Sequence, residues 1–334
     1  MKKSLIKRIF AAVLCLVMLF MLGACGKKTQ DNEADIDPAE LNVYCLSGPT
    51  GVGMADLMNK SDNGQTKNDY TITVAAAPED VTAQVINKTA DIACIPTNLA
   101  ANLYAKTNKE IKILAVNTLS VLYVLDTTGE IKSFADLKGK TVYMPGQGSN
   151  PEYIVNHLLT KNCIDPAKDI TIEFKSEAQE VAALMASGKA EICIVPQPVA
   201  TVIQTKAEVK NVINLADEWK AIGEDSSIMM GCVVAQKSVI EEHPEAIEKF
   251  LEEYEASINA VKADPAAAAA ICESKQIVPT PAAVTEKAIP NCGLTFVTGK
   301  DMKNQLIGYL QVLFDAKPAS IGGTMPDSNF WYAK

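Results

Sequence analysis

The chain of 334 residues is 48% hydrophobic and carries 40 acidic against 31 basic side chains, the composition of a globular protein with net negative charge. That balance argues against a nucleic-acid partner and against a polybasic membrane patch. Arg8 is the one arginine in the sequence, so beyond the N-terminus any bound anion must be held by lysine, hydroxyls, amides or backbone N–H groups.

Lys2, Lys3, Lys7 and Arg8 precede an uncharged apolar run from Ile9 to Leu22, the pattern of a secretory signal over residues 1–24. Leu22-Gly23-Ala24-Cys25 resembles the bacterial lipoprotein box, which implies cleavage before Cys25 and acylation of that cysteine. The alternative is an ordinary signal peptide with a chance cysteine. Two or more acyl chains give lasting anchorage, and residues 25–40 read as the lipidated N-terminus with a polar, flexible tether. The expectation is an exported protein held by lipid on the extracytoplasmic face of the cell membrane. With the signal gone, 27 lysines face 40 acidic residues, and the remaining length suits two lobes.

Two stretches about a hundred residues apart repeat one pattern. The first covers residues 41–104 and the second residues 140–206. Each opens with a Val-Tyr strand, Asn42-Val43-Tyr44-Cys45-Leu46 or Thr141-Val142-Tyr143-Met144. Each strand enters a glycine-bearing turn, Ser47-Gly48-Pro49-Thr50-Gly51 or Pro145-Gly146-Gln147-Gly148-Ser149-Asn150, and then an amphipathic helix. A second strand (Ile72-Thr73-Val74 or Ile170-Thr171-Ile172) and an Ala/Val-rich helix follow. Each copy closes on a matching phrase, Asp91-Ile92-Ala93-Cys94-Ile95-Pro96 or Glu191-Ile192-Cys193-Ile194-Val195-Pro196, with Cys94 set against Cys193. Strands alternating with helices predict parallel βαβ units, and a single long spacing predicts two like lobes, not a solenoid.

Between the copies, residues 111–117 and 119–126 read as buried strands, and Ser133 to Leu137 as a short helix. After the second copy come a strand over 209–215, a strand over 231–236, and a long helix from Pro244 to about Lys262. An Ala-rich helix from Pro265, a helix over 302–314 and an irregular closing strap after Pro318 complete the chain. The path crosses from one lobe to the other near residue 120 and returns near 230. Residues 41–120 with 231–334 are therefore expected to form lobe 1, and 121–230 lobe 2. Two crossings make a hinge with a cleft beside it. Of the seven cysteines that follow Cys25, four lie in apolar strand-like runs, where cysteine acts as a small buried hydrophobe. Without CxxC spacing they read mostly as free thiols, a Cys272–Cys292 bridge being the one pairing the sequence leaves open.

The lipobox, the two glycine turns, Phe134-Ala135-Asp136-Leu137-Lys138-Gly139-Lys140, the two Asp/Glu-Ile-…-Pro phrases, His243-Pro244-Glu245-Ala246 and Ser320-Ile321-Gly322-Gly323-Thr324-Met325-Pro326-Asp327 share an order. In that order the chain resembles the bacterial ABC-importer substrate-binding lipoproteins of the nitrate/sulfonate/taurine/thiamine-precursor group. The resemblance spans the chain beyond the signal. It implies an α/β, two-lobed type II periplasmic-binding fold, each lobe a mixed sheet flanked by helices, with two hinge crossings. It also implies a monomer that passes a small-molecule ligand to a permease driven by a separate ATPase, without cofactor or metal.

In open α/β sheets a ligand sits beyond the carboxyl ends of the strands. That places Ser47, Gly48 and Thr50 of the first turn, and Gln147, Gly148 and Ser149 of the second, as candidate ligand-binding residues; helix capping is the alternative role. Thr97, Asn98 and Gln197 follow the closing proline of each copy and present hydroxyl or amide groups. Thr118 lies near the first crossing. Tyr44 and Tyr143 are either ligand-stacking or core residues, and Trp219 is either a ligand-stacking residue or a cover on a lobe surface. No complete dinucleotide, phosphate-loop, GxSxG or HExxH motif is present, and His157 and His243 read as structural. No catalysis is expected. The scarcity of arginine, the usual bidentate partner of carboxylates and sulfonates, favours a neutral or heteroaromatic, thiamine-precursor-like solute. The alternatives are a sulfonate, taurine or nitrate, or an enzyme of pyrimidine-precursor metabolism on the same scaffold.

Overall fold

The computed structural model describes residues 38–332; the expected signal segment, Cys25 and most of the tether lie outside the described residues. The chain begins with β1 (Glu40–Leu46), α1 (Pro49–Val52), α2 (Ala55–Asp62), β2 (Asp69–Ala75), α3 (Pro78–Ile86), β3 (Ile92–Pro96) and α4 (Thr97–Lys106). It continues through β4 (Ile111–Leu119), β5 (Leu122–Asp126), a 3₁₀ turn over Phe134–Leu137, β6 (Thr141–Pro145) and α5 (Asn150–Lys161). Then come β7 (Thr171–Lys175), α6 (Ala178–Ala186), β8 (Ile192–Pro196), α7 (Val199–Lys206), β9 (Asn211–Asn214) and α8 (Leu215–Ala221). The last part holds β10 (Met229–Gln236), α9 (Lys237–Glu242), α10 (Pro244–Ala263), α11 (Pro265–Ser274), α12 (Ala282–Ala288), β11 (Leu294–Val297) and α13 (Gly299–Ala316).

Two mixed sheets result, ordered β11-β4-β10-β3-β1-β2 and β7-β6-β8-β5-β9. Their kernels are the same: β2-β1-β3 and β7-β6-β8 are parallel, as βαβ crossovers require. Each kernel then gains an antiparallel strand at its third member, β10 on β3 and β5 on β8. Both added strands adjoin the crossings, because the chain leaves β4 for β5 at Ser120-Val121 and returns from α8 to β10 over residues 222–228. The doubled pattern in the sequence is therefore a doubled topology.

Strand register corrects two details of that repeat. Val43 pairs with Ile72 and Val142 with Ile172, so Ile72 corresponds to Ile172 and not to Ile170. Tyr44 pairs with Ala93 and Tyr143 with Cys193, so Cys193 corresponds to Ala93, not to Cys94. A slip of one residue reverses the face of a strand, and a match between two cysteines hid that parity.

The proline-opened helices form where expected, with acids in the first turns of α3 and α10 that suit the positive helix end. The buried face of α10 carries Phe250, Tyr254 and Ile258, and the Phe250 and Tyr254 rings stack at 5.6 Å. Some elements depart from expectation. The strand predicted over 209–215 stops at Asn214, because the Asn214 side chain accepts the Ala216 N–H at 2.9 Å and starts α8. The short elements α9, α12 and β11 carry too little periodicity to stand out in the sequence. Trp219 is neither a ligand platform nor a surface cover. It is 1% exposed, packs 4.9 Å from the His157 ring and 6.0 Å from Tyr309 of α13, and donates its indole N–H to Ser226 O at 2.9 Å. Through that contact α13 ties the two lobes into one apolar core. Cys45, Cys94, Cys163, Cys193, Cys232, Cys272 and Cys292 are free thiols, all buried except Cys163, so Cys272 and Cys292 form no bridge.

Candidate functional site

The carboxyl ends of the two parallel kernels face one another across the cleft, and a cavity of about 1230 Å³ opens between them. Ser47, Gly48 and Tyr70 contribute to its wall from the first lobe, together with the segment Glu273 to Pro281. Glu177, Ala178 and Gln179 at the start of α6, and Pro196 to Val199 at the end of β8, contribute from the second.

Of the residues singled out from the sequence, Ser47, Gly48 and Gln197 meet in this wall. Ser47 Oγ donates to Ile277 O at 2.9 Å, and Gly48 N–H donates to the same carbonyl at 3.2 Å. Gly48 has φ +109°, a backbone region open to glycine and strained for other residues. Gln197 is 2% exposed; its Oε1 accepts from Thr201 Oγ1 at 2.8 Å, which leaves its amide N–H₂ as the donor for the cavity.

The other candidates lie outside the wall. Thr50 Oγ1 donates to Leu46 O at 3.3 Å. Thr97 is buried and donates to Met229 O at 2.6 Å, fastening the start of α4 to β10. Thr118 Oγ1 donates to Asn117 Oδ1 at 3.1 Å in a buried cluster near the first crossing. In the second glycine turn Gln147 is exposed, Gly148 N–H donates to the Glu152 carboxylate, and Ser149 Oγ donates to Gly146 O at 2.7 Å. Glu152 supplies from within the turn the negative group that a helix start attracts. Asn98 has another relationship: its Oδ1 accepts from Asn150 Nδ2 at 2.9 Å, joining the start of α4 to the start of α5.

Sequence reasoning did not single out Tyr70, Lys275 or Thr280, which also line the cavity. Pro279-Thr280-Pro281 marks a loop in the sequence, but nothing local shows that the loop folds over a turn 230 residues away. Burial and the Glu253 carboxylate, which accepts the Tyr70 hydroxyl at 2.6 Å, push the Tyr70 phenol up. Asp62, Glu177 and Glu273 put three carboxylates in the wall against a single lysine, Lys275, and that ammonium is ion-paired to Asp62. Among the described residues no group of three His, Cys, Asp or Glu side chains is placed to hold a metal. No helix among them is long and apolar enough to cross a membrane.

Comparison with known proteins accords with this geometry. No curated protein matches the sequence. Among solved structures, an ABC transporter protein from Parabacteroides distasonis is 22% identical, with a TM-score of 0.74 over 89% of this chain and 99% of the other. The periplasmic aliphatic sulphonate binding protein SsuA from Escherichia coli is 13% identical, with a TM-score of 0.68 over 87% of this chain and 93% of the other. The periplasmic nitrate-binding protein NrtA from Synechocystis PCC 6803 is 12% identical, with a TM-score of 0.50 over 74% and 69%. These similarities establish the two-lobed periplasmic-binding fold. The NMT1/THI5-like family model matches residues 48–268, from the first glycine turn through β10 into α11, and the chain belongs to that family.

Proposed function

We propose that this protein is the extracytoplasmic solute-binding component of an ABC importer, held at the membrane through Cys25, that closes its two lobes on a small organic molecule and delivers it to a permease. The observation that carries the reading is the cavity walled by both lobes, in a chain that crosses twice between them. Relative movement of two lobes about such crossings opens and closes the space between them, and the cavity, at about 1230 Å³, is somewhat larger than the roughly 300–1,000 Å³ common for small-molecule sites.

The wall favours a neutral or heteroaromatic solute of the thiamine-precursor kind over a sulfonate or nitrate. It has no arginine, its single lysine is held by Asp62, and the Ser47 and Gly48 donors are answered by Ile277 O. With Asp62 paired to that lysine, Glu177 and Glu273 remain to oppose an anion. Gln179, Gln197 and Thr280 offer hydrogen-bonding groups without net charge. The relatives named for sulfonate and nitrate share the fold at low identity, and the anion readings remain the comparison arm of the test.

A thermal-shift series with a hydroxymethyl-aminopyrimidine, taurine, a simple alkylsulfonate and nitrate separates these readings. Saturation at a hundredfold above Kd stabilises the folded form by about 2.7 kcal/mol, several degrees for a chain of this size. The expected result is a shift with the pyrimidine and none with the anions. A shift with the sulfonates alone would replace the ligand assignment.

A further inference from the structure

Asn98 and Asn150 are the second and first residues of α4 and α5, helices that start at facing strand ends in different lobes. Asn150 Nδ2 donates to Asn98 Oδ1 at 2.9 Å, a direct side-chain bond between the lobes outside the cavity wall. Asn150 is 5% exposed, and its Oδ1 is buried with no hydrogen-bond partner. Helix capping does not account for this residue, since its oxygen accepts nothing from the backbone of its own helix. Local turn chemistry does not either: Ser149 and Glu152 already satisfy the turn that precedes it. What the Asn150 side chain contributes is the bond to the opposite lobe.

We propose that the Asn98–Asn150 amide pair is a closure latch, a bond made when the lobes come together and broken when they part. The buried, unpartnered Oδ1 makes the latch poised and not permanent. Closing dehydrates that oxygen, opening returns it to water, and the penalty of an unmet acceptor opposes the gain from the bond beside it. The inference concerns movement of the lobes and holds whatever solute fills the cavity.

Removal and restoration of the bond give the test. Asp in place of either asparagine leaves the other free to turn its amide and donate, whereas Ala at either position removes the bond. Both positions lie in a first helical turn, so any effect of a negative charge on the helix end is shared, and retention in Asp of what Ala loses reports the latch. Spin labels at the exposed native Cys163 in one lobe and at Gln65→Cys in the other follow lobe separation, the other described cysteines being buried. Pulsed electron-electron resonance on the purified protein is expected to show a short-distance population that falls about fivefold in Asn98→Ala and Asn150→Ala and persists in Asn98→Asp and Asn150→Asp. Melting temperatures recorded alongside confirm that each variant folds. No short-distance population in the parent protein, an unchanged one in a folded Asn98→Ala or Asn150→Ala, or equal loss in the Ala and Asp variants would overturn the latch.

Discussion

Tyr254 on α10 accepts a hydrogen bond from Asn117 Nδ2 on β4 at 2.9 Å, in a part of the first lobe closed to solvent. Asn117 Oδ1 in turn accepts from Thr118 at 3.1 Å, and the Cys94 thiol approaches the phenol oxygen at 3.9 Å. Thr118 stands one residue before the end of β4, so this chain fixes the strand that feeds the first crossing. Burial, together with Cys94, pushes the Tyr254 phenol well up, and it stays protonated. Tyr254→Phe leaves the Asn117 amide buried and unpaired, at a cost of about 1–3 kcal/mol. Urea unfolding is expected to show a lower midpoint with an unchanged slope.

The same cluster sets the tolerance at Gly231. A Cβ there would lie 2.6 Å from Asn117 Oδ1, 2.6 Å from Thr50 Cγ2 and 2.8 Å from the Thr118 Cβ, closer than van der Waals contact allows. Gly231→Ala is expected to destabilise by about 1–3 kcal/mol through overpacking, measured by the same unfolding curves.

Tyr309 gives a prediction of opposite sign. Its ring anchors α13 against Trp219, yet its hydroxyl is buried without a partner. Tyr309→Phe keeps the ring and removes the unmet polar group, so stability is expected to hold or to rise by up to about 1 kcal/mol. A clear fall in melting temperature would count against that reading of the interface.

Asp126 at the end of β5 accepts from the backbone N–H groups of Thr128, Gly129 and Ile131, the Thr128 hydroxyl and the Asn211 amide at 2.6–3.1 Å. Burial pushes its carboxyl up, but the hydrogen bonds from Thr128, Asn211 and Ile131 outweigh that and bring it down to about 2. A depressed carboxylate contributes stability that is present above its unfolded pKa of about 3.9 and is lost as pH falls through the folded value. The contribution, about 2 kcal/mol at neutral pH, should disappear between roughly pH 4 and 2. Asp126→Asn is expected to be less stable at pH 7 and to show a flatter decline across that window.

Much of the fold was legible because each half announces itself locally. Val43-Tyr44 and Val142-Tyr143, the glycine turns, and the prolines closing β3 and β8 are short-range signals repeated at one spacing. The candidate site was legible only in part, because it depends on partners distant in the chain. Ser47 and Gly48 were recognisable as a turn at a strand end, but the Ile277 carbonyl that answers their donors lies in a segment with no periodicity. Asn98 was marked for its position, while Asn150, its partner in the other lobe, passed as the last letter of a glycine turn. Trp219 looked like a surface aromatic because α8 is a single short helix; its burial comes from α13, nearly a hundred residues later.

The most direct test of the central claim, that solute binds in the cavity between the lobes, is isothermal titration of the solute giving the largest thermal shift into the parent protein and Ala178→Trp. Ala178 opens α6 in the cavity wall, where an indole would occupy the space a solute needs. One site per chain is expected in the parent, and at least a hundredfold weaker binding, about 2.7 kcal/mol, in a variant that melts at the parent temperature. Unchanged affinity in a folded Ala178→Trp would place the solute elsewhere and contradict the account.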